Sequence, residues 1–158
     1  MDIITEVAFS INNQLLTDIS LLIHNEIIFV GLLIAAVLLG ERRPKKIMKI
    51  ISVMVFAVII GIIIKMLIIT ERPCAGMELL YCPEDPSFPS LHALAAFSLM
   101  IAFLNKKNFI LYMLFALFIV FTRLVLAVHG FVDIAASLAI AMIAYYITDR
   151  IWVRYYGD

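Results

Sequence analysis

The 158-residue chain reads as an all-α integral membrane protein: a helical bundle with about five transmembrane helices, preceded by an N-terminal amphipathic helix at the interface. Three observations predict this. Hydrophobic residues make up 65% of the chain and its mean hydropathy is +1.09, whereas soluble domains usually sit near half apolar. Charged residues, 15% of the total, gather between apolar runs. Those runs approach the roughly 20 residues that cross about 30 Å of hydrocarbon. No long polar tract interrupts them, so residues 1–158 form a single membrane-embedded domain. Twelve basic residues balance 12 acidic ones, which argues against a nucleic-acid partner and leaves membrane lipids as the surroundings.

The chain opens Met1-Asp2-Ile3-Ile4-Thr5-Glu6, without the basic start of a cleavable signal peptide. Apolar positions 3, 4, 7, 8, 11 and 15 share one helical face, away from Asp2, Glu6, Asn13 and Asp18, which predicts a short helix lying on the membrane surface. A frayed tail is the alternative. The first span runs from Leu21 to Gly40, flawed near its start by His24, Asn25 and Glu26. The second runs from Ile47 to Ile69, with Lys49 and Lys65 near its ends. The third, from Ser90 to Leu104, is short; the fourth spans Phe109–Val128 and the fifth Phe131–Ile147.

Lys and Arg favour short cytoplasmic loops. The 41–49 connection holds five of them, Lys106 and Lys107 add two, and the tail adds Arg150 and Arg154. Five spans place these three stretches on one side, so nine of the 12 basic residues are cytoplasmic. The other three are Lys65, Arg72 and Arg123. The same topology brings three polar clusters to the opposite, extracytoplasmic face: Lys65 with Arg72-Pro73, Pro89-Ser90 with His92, and Thr122-Arg123 with His129 and Asp133. Charges at span ends are costly and tend to mark function. Three cations, two histidines, a hydroxyl and a carboxylate can hold a phosphate and attack it.

Lys65 and Arg72 can clamp phosphate oxygens, Arg with a planar fork; alternatively Lys65 merely snorkels to the headgroups. Ser90 stands where a span begins, able to cap the helix and to donate to an anion held at its positive end, with His92 placed as an acid; a plain cap plus an interfacial histidine is the other reading. His129 and Asp133 are four apart, so the carboxylate can fix the ring's tautomer and raise its basicity. Arg123 lies deep in the fourth span and needs an anion or an acidic partner, with Asp133 the only acid in the adjoining spans and a structural Arg–Asp pair the plainer option. Gly130, between spans, permits close approach of backbone or substrate. Cys74 and Cys82, separated by seven residues, can form a disulfide that staples the loop carrying Arg72, or remain free thiols. Glu78, Glu84 and Asp85 in that loop read as a solvated face, and they show no metal-ligand spacing. Tyr145, Tyr146, Trp152, Tyr155 and Tyr156 fit a cytoplasmic aromatic belt. His24 with Asn25 reads as an interfacial pair without a role.

The ordered pattern Lys-x6-Arg-Pro, Pro-Ser-x-His, Thr-Arg-x5-His-x3-Asp over residues 65–133 resembles the signature of the type 2 phosphatidic acid phosphatase superfamily. The resemblance implies His129 as nucleophile, oriented by Asp133, and His92 as the acid that protonates the leaving oxygen. It implies Lys65, Arg72, Ser90 and Arg123 as phosphate-binding residues, with no metal and no cofactor. Leu91 departs from the family's usual Gly, placing a larger side chain beside the phosphate site. Thr122 replaces Ser and keeps the hydroxyl.

The expected function is hydrolysis of a lipid phosphate by a multi-pass cell-membrane enzyme whose site faces the extracytoplasmic side. By analogy with small microbial members, the expected substrate is a polyprenyl (undecaprenyl) diphosphate, cleaved to the monophosphate. Phosphatidylglycerophosphate, phosphatidic acid and lipid A phosphates are the alternatives, and a sugar phosphate is further off. A non-catalytic lipid-phosphate sensor or transporter is the competing class. A vanadium-dependent haloperoxidase shares the phosphate site, but those enzymes are soluble.

Overall fold

A computed structural model describes residues 1–77 and 81–157, and the described residues form seven α-helices. They are α1 (Ile3–Ser10), α2 (Gln14–His24), α3 (Glu26–Gly40), α4 (Pro44–Leu67), α5 (Leu91–Ala102), α6 (Phe109–Val125) and α7 (Phe131–Tyr156). Glu78, one of the acids expected on a solvated loop face, lies outside the described residues.

α5 is the axis of the bundle. Every residue from Ala93 to Leu99 is buried, as suits a helix that is apolar all round. Three alanines and Ser98 within that stretch let neighbouring backbones approach closely. α4, α5 and α7 pack on one another and α6 covers α5, while α1 and α2 lie against α6. Outward-facing Ile, Leu, Val and Met on α3, α4, α6 and α7 stay exposed, the surface that lipid would cover.

α4 and α7, with 24 and 26 residues, are long and apolar enough to cross a membrane. α5 and α6 are apolar but have only 12 and 17 residues. The expected first span, Leu21–Gly40, is not one helix. It breaks at Asn25, and α2 and α3 meet there at 77°, so they pass the length and composition test only as a bent pair. The cause is local: Asn25 adopts an extended backbone, and its side chain accepts hydrogen bonds from Ile27 N and Ile28 N, which starts a new helix. Two helices, or three spans if the bent pair counts as one, therefore meet the criterion outright. The amphipathic N-terminal stretch is likewise two helices. Ala8 is buried, whereas Ile3, Ile4, Val7, Ile11 and Leu15 face outward.

Two ion-pair groups hold the end of the bundle away from the polar clusters. Lys49 reaches Asp149 across α4 and α7 at 2.5 Å. Glu41, in the α3–α4 corner, pairs with Arg43 at 3.0 Å and Lys106 at 2.7 Å. The same corner depends on Gly40. Tyr112, stacked on Phe103 at 3.8 Å, donates to Ala36 O, and a Cβ at residue 40 would sit 1.8 Å from the Tyr112 hydroxyl oxygen. Gly40→Ala is expected to cost about 1–3 kcal/mol by overpacking and to lower the thermal unfolding midpoint in detergent by several degrees. Gly31→Ala, in the same helix with nothing within 4 Å of the new Cβ, should leave it unchanged or raise it.

Candidate active site

Four helix ends meet at one end of the bundle: the C-termini of α4 and α6 and the N-termini of α5 and α7. Lys65, in the last turn of α4, donates to Asp85 Oδ2 at 2.7 Å and to the Pro86 carbonyl. Arg72 follows in the loop, where Pro73 keeps the chain from re-entering a helix. Its guanidinium donates from Nη2 to Asp85 Oδ1 at 2.8 Å, from Nε to Asp85 O at 2.9 Å, and from Nη1 to Val128 O at 2.6 Å. Asp85 thus bridges the two cations while its own side chain stays exposed, as a solvated face requires. Burial would raise its carboxyl, but hydrogen bonds from Lys65 and Arg72 outweigh that and hold it below the usual carboxylate range.

His129 sits in the turn before α7, 5% exposed. Arg72 Nη1 lies 3.4 Å from Nε2, and Asp133 Oδ2 lies 3.5 Å from Nδ1. A guanidinium can only donate, so Nε2 must present its lone pair to Arg72 and the ring proton falls on Nδ1, facing the carboxylate. The Nδ1 contact is electrostatic: no aligned hydrogen bond reaches that atom among the described residues. Asp133 is fixed by two other bonds. In the first turn of α7 its Oδ2 accepts from the Gly130 backbone N–H at 2.9 Å, as an N3 carboxylate does, and also from the Ser87 hydroxyl. Burial pushes His129 down to about 4 against the upward pull of Asp133, so the imidazole is neutral at pH 7. Gly130 itself needs no unusual backbone. The close approach there is by Asp2, which accepts from Phe131 N at 3.1 Å, and the left-handed residue of this turn is Ala127, with φ 51°.

Ser90 caps α5 as expected, accepting from Ala93 N at 3.5 Å. Its own N–H goes to Ser137 Oγ at 3.1 Å, and that hydroxyl lies 2.7 Å from the Asp133 carbonyl oxygen, which locks the start of α5 to the first turns of α7. His92, in the first turn of α5, keeps a buried Nε2 with no partner among the described residues. Leu91, the departure from the family pattern, turns toward α4, where it lies 2.8 Å from the position a Cβ on Gly61 would take.

Arg123 does not meet Asp133. It is wholly buried, and its partners are His24 Nδ1 at 2.8 Å, Ser20 O at 3.1 Å and the neighbouring Thr122 hydroxyl at 3.1 and 3.2 Å. His24, which had no assigned role, also stacks on His92, with ring centroids 5.5 Å apart and planes 12° from parallel. Asp85, Ser87, Ser137 and His24 are the residues that sequence reasoning passed over. Only Asp85 left a signal there, as an acid in the loop that follows Lys65 and Arg72.

A disulfide joins Cys74 and Cys82, and a cavity of about 630 Å³ opens between it, Arg72 and Asp85. A larger cavity, about 720 Å³, lies at the other end among Lys45, Lys46, Lys49 and Trp152, with no histidine in its lining. The first cavity has no histidine in its lining either, and it meets the polar cluster through Arg72 and Asp85. Groups of His, Cys, Asp and Glu able to hold a metal do not occur among the described residues. The site can bind a tetrahedral oxyanion in competition with Asp85. Asp85→Asn should tighten orthovanadate binding by about threefold to tenfold, or about 1 kcal/mol, while Arg72→Ala should abolish it. Weaker binding by Asp85→Asn would mean that the carboxylate instead sets the spacing of the two cations.

Comparison with known proteins shows the fold and the family. The crystal structure of Aquifex aeolicus LpxE has the same fold, with a TM-score of 0.76 over 93% of each chain at 20% identity. A search of curated proteins finds no match. The sequence profile of the PAP2 superfamily matches residues 46–155, which takes in all three polar motifs. By that match, which spans well over half of its length, the chain belongs to the PAP2 superfamily.

Proposed function

We propose that this protein is a membrane phosphatase that hydrolyses a lipid phosphate through a phosphohistidine intermediate. The observation that carries the reading is the setting of His129: a neutral ring with Nε2 turned to Arg72 and Nδ1 turned to Asp133. An anion-binding protein needs the cations but has no use for an oriented imidazole lone pair.

In the first step Nε2 of His129 attacks phosphorus, and the bond to the leaving oxygen breaks with its electron pair on that oxygen. His92 delivers the proton the leaving group requires. Lys65, Arg72, Ser90 and Arg123 hold the remaining oxygens and stabilise charge that spreads over them in the transition state. The Asp133 carboxylate stabilises the imidazolium character that develops as the P–N bond forms. In the second step His92 takes a proton from water, the oxygen attacks phosphorus, and the P–N pair returns to His129 as inorganic phosphate departs. Asp85 must yield its place between Lys65 and Arg72 when the phosphoryl group enters.

The topology that suits this chemistry has five crossings, with α2 and α3 as one bent span, α1 on the membrane surface and the site at the extracytoplasmic face. A lipid headgroup then reaches the site while its tail remains in the bilayer. The substrate we favour is a polyprenyl diphosphate, cleaved to the monophosphate, by analogy with small family members that lack a soluble domain.

The test is phosphate release from a panel of prenyl diphosphates, phosphatidylglycerophosphate, phosphatidic acid and lipid A phosphates. The wild-type protein should turn over at least one of them, fastest with the prenyl diphosphate, and EDTA should have no effect. Substrate added outside intact spheroplasts should be cleaved without permeabilisation if the site faces outward. His129→Ala should lower kcat on the order of 10³-fold or more. No turnover of any lipid phosphate by wild type would favour a binding or transport protein.

A further inference from the structure

We propose that His24 is a positioning residue for the phosphate site, holding Arg123 and His92 in place from outside the segment the family profile covers. The assignment takes its catalytic meaning from the phosphatase reading above, but its geometry stands apart from it. His24 ends α2, and the break at Asn25 turns α2 away from α3 and lays it against α6, which carries Arg123.

Three contacts define the ring. Nδ1 lies 2.8 Å from Arg123 Nη1, Nε2 lies 3.0 Å from the Tyr81 hydroxyl, and the ring face is stacked on His92. Because Arg123 can only donate, Nδ1 must accept, so the neutral ring carries its proton on Nε2 and gives it to Tyr81. Phe29 supports the other contact surface of His92, with centroids 4.3 Å apart. The His92 ring is thereby held by two aromatic neighbours while its buried Nε2 has no partner among the described residues.

The chemical identity of the Arg123 partners matters most. Lys65 and Arg72 share the carboxylate of Asp85. Among the described residues Arg123 meets only uncharged acceptors: an imidazole, a carbonyl and a hydroxyl. These satisfy and orient the fork while leaving its positive charge uncompensated in a buried setting, where it attracts an anion strongly. A carboxylate at position 24 would orient the fork equally well but cancel the charge.

Substitutions at this position separate the parts. His24→Phe keeps a ring beside His92 and removes the acceptor for Arg123; it should raise KM and weaken orthovanadate binding about tenfold while kcat changes little. His24→Gln keeps a neutral acceptor and removes the ring; it should hold vanadate affinity within about threefold and lower kcat. His24→Glu should bind vanadate more weakly than either. A scaffold-only role would lower stability in all three without this split between KM and kcat. Unchanged constants in Phe and Gln variants, or tighter vanadate binding by the Glu variant, would overturn the assignment. Should His24→Phe fail to fold, Tyr81→Phe removes only the partner of Nε2 and should weaken vanadate binding severalfold; wild-type affinity there counts against the proposal. Vanadate binding requires no turnover, so it reads His24 even if the wild-type protein cleaves no lipid phosphate, an outcome that would remove the phosphatase reading alone.

Discussion

Arg123 is a guanidinium with no exposure to solvent in an apolar bundle, and no carboxylate among the described residues meets it. Burying an unpaired charge is among the costliest things a fold can do. The arrangement around it is a response to that constraint. The α2 helix supplies a carbonyl and an imidazole, and Thr122 supplies a hydroxyl. Six residues along, the chain turns to bring His129 beside the second buried guanidinium, Arg72. The two arginines are managed in opposite ways: Arg72 shares an internal anion with Lys65, and Arg123 is solvated by neutral dipoles. In the proposed site Arg123 is oriented before an anion arrives, whereas Lys65 and Arg72 must first exchange Asp85 for it.

Helix ends do most of the positioning. Asp133 caps α7, accepts from Ser87 and faces His129 Nδ1, so one carboxylate both starts a helix and orients the ring. Ser90 caps α5, and Ser137 ties that cap to α7. The loop between α4 and α5 is pinned by the disulfide at one place and by Asp85, with its two cations, at another. Rigid elements thus carry Lys65, Ser90, His92, Arg123 and Asp133, and the two turns bearing Arg72 and His129 are held by backbone and side-chain bonds.

Much of this was legible in the residues. The spacing of the three motifs and the alternation of charge and apolar runs brought the same helix ends together that the structure does. Helix limits came within a few residues for α4, α5 and α6, because apolar runs mark all three and Ser90 caps α5. Three features were hidden. The break at Asn25 was masked by an apolar run that continued past it, although His24-Asn25-Glu26 flagged the place. Asp85 is solvated as expected, but its pairing was hidden because its partners lie 13 and 20 residues earlier. His24 looked interfacial because its contact with Arg123 spans 99 residues, and no local pattern encodes a tertiary hydrogen bond of that range.

The proposed reaction requires one tetrahedral anion seated between two imidazoles. A structure of the protein with orthovanadate bound tests this most directly. Vanadium should lie bonded to His129 Nε2, with Lys65, Arg72 and Arg123 on its oxygens, His92 Nε2 facing the apical oxygen opposite His129, and Asp85 displaced. Vanadate seated at the distant lysine-lined cavity, or at the cations with His129 out of bonding reach, would contradict it.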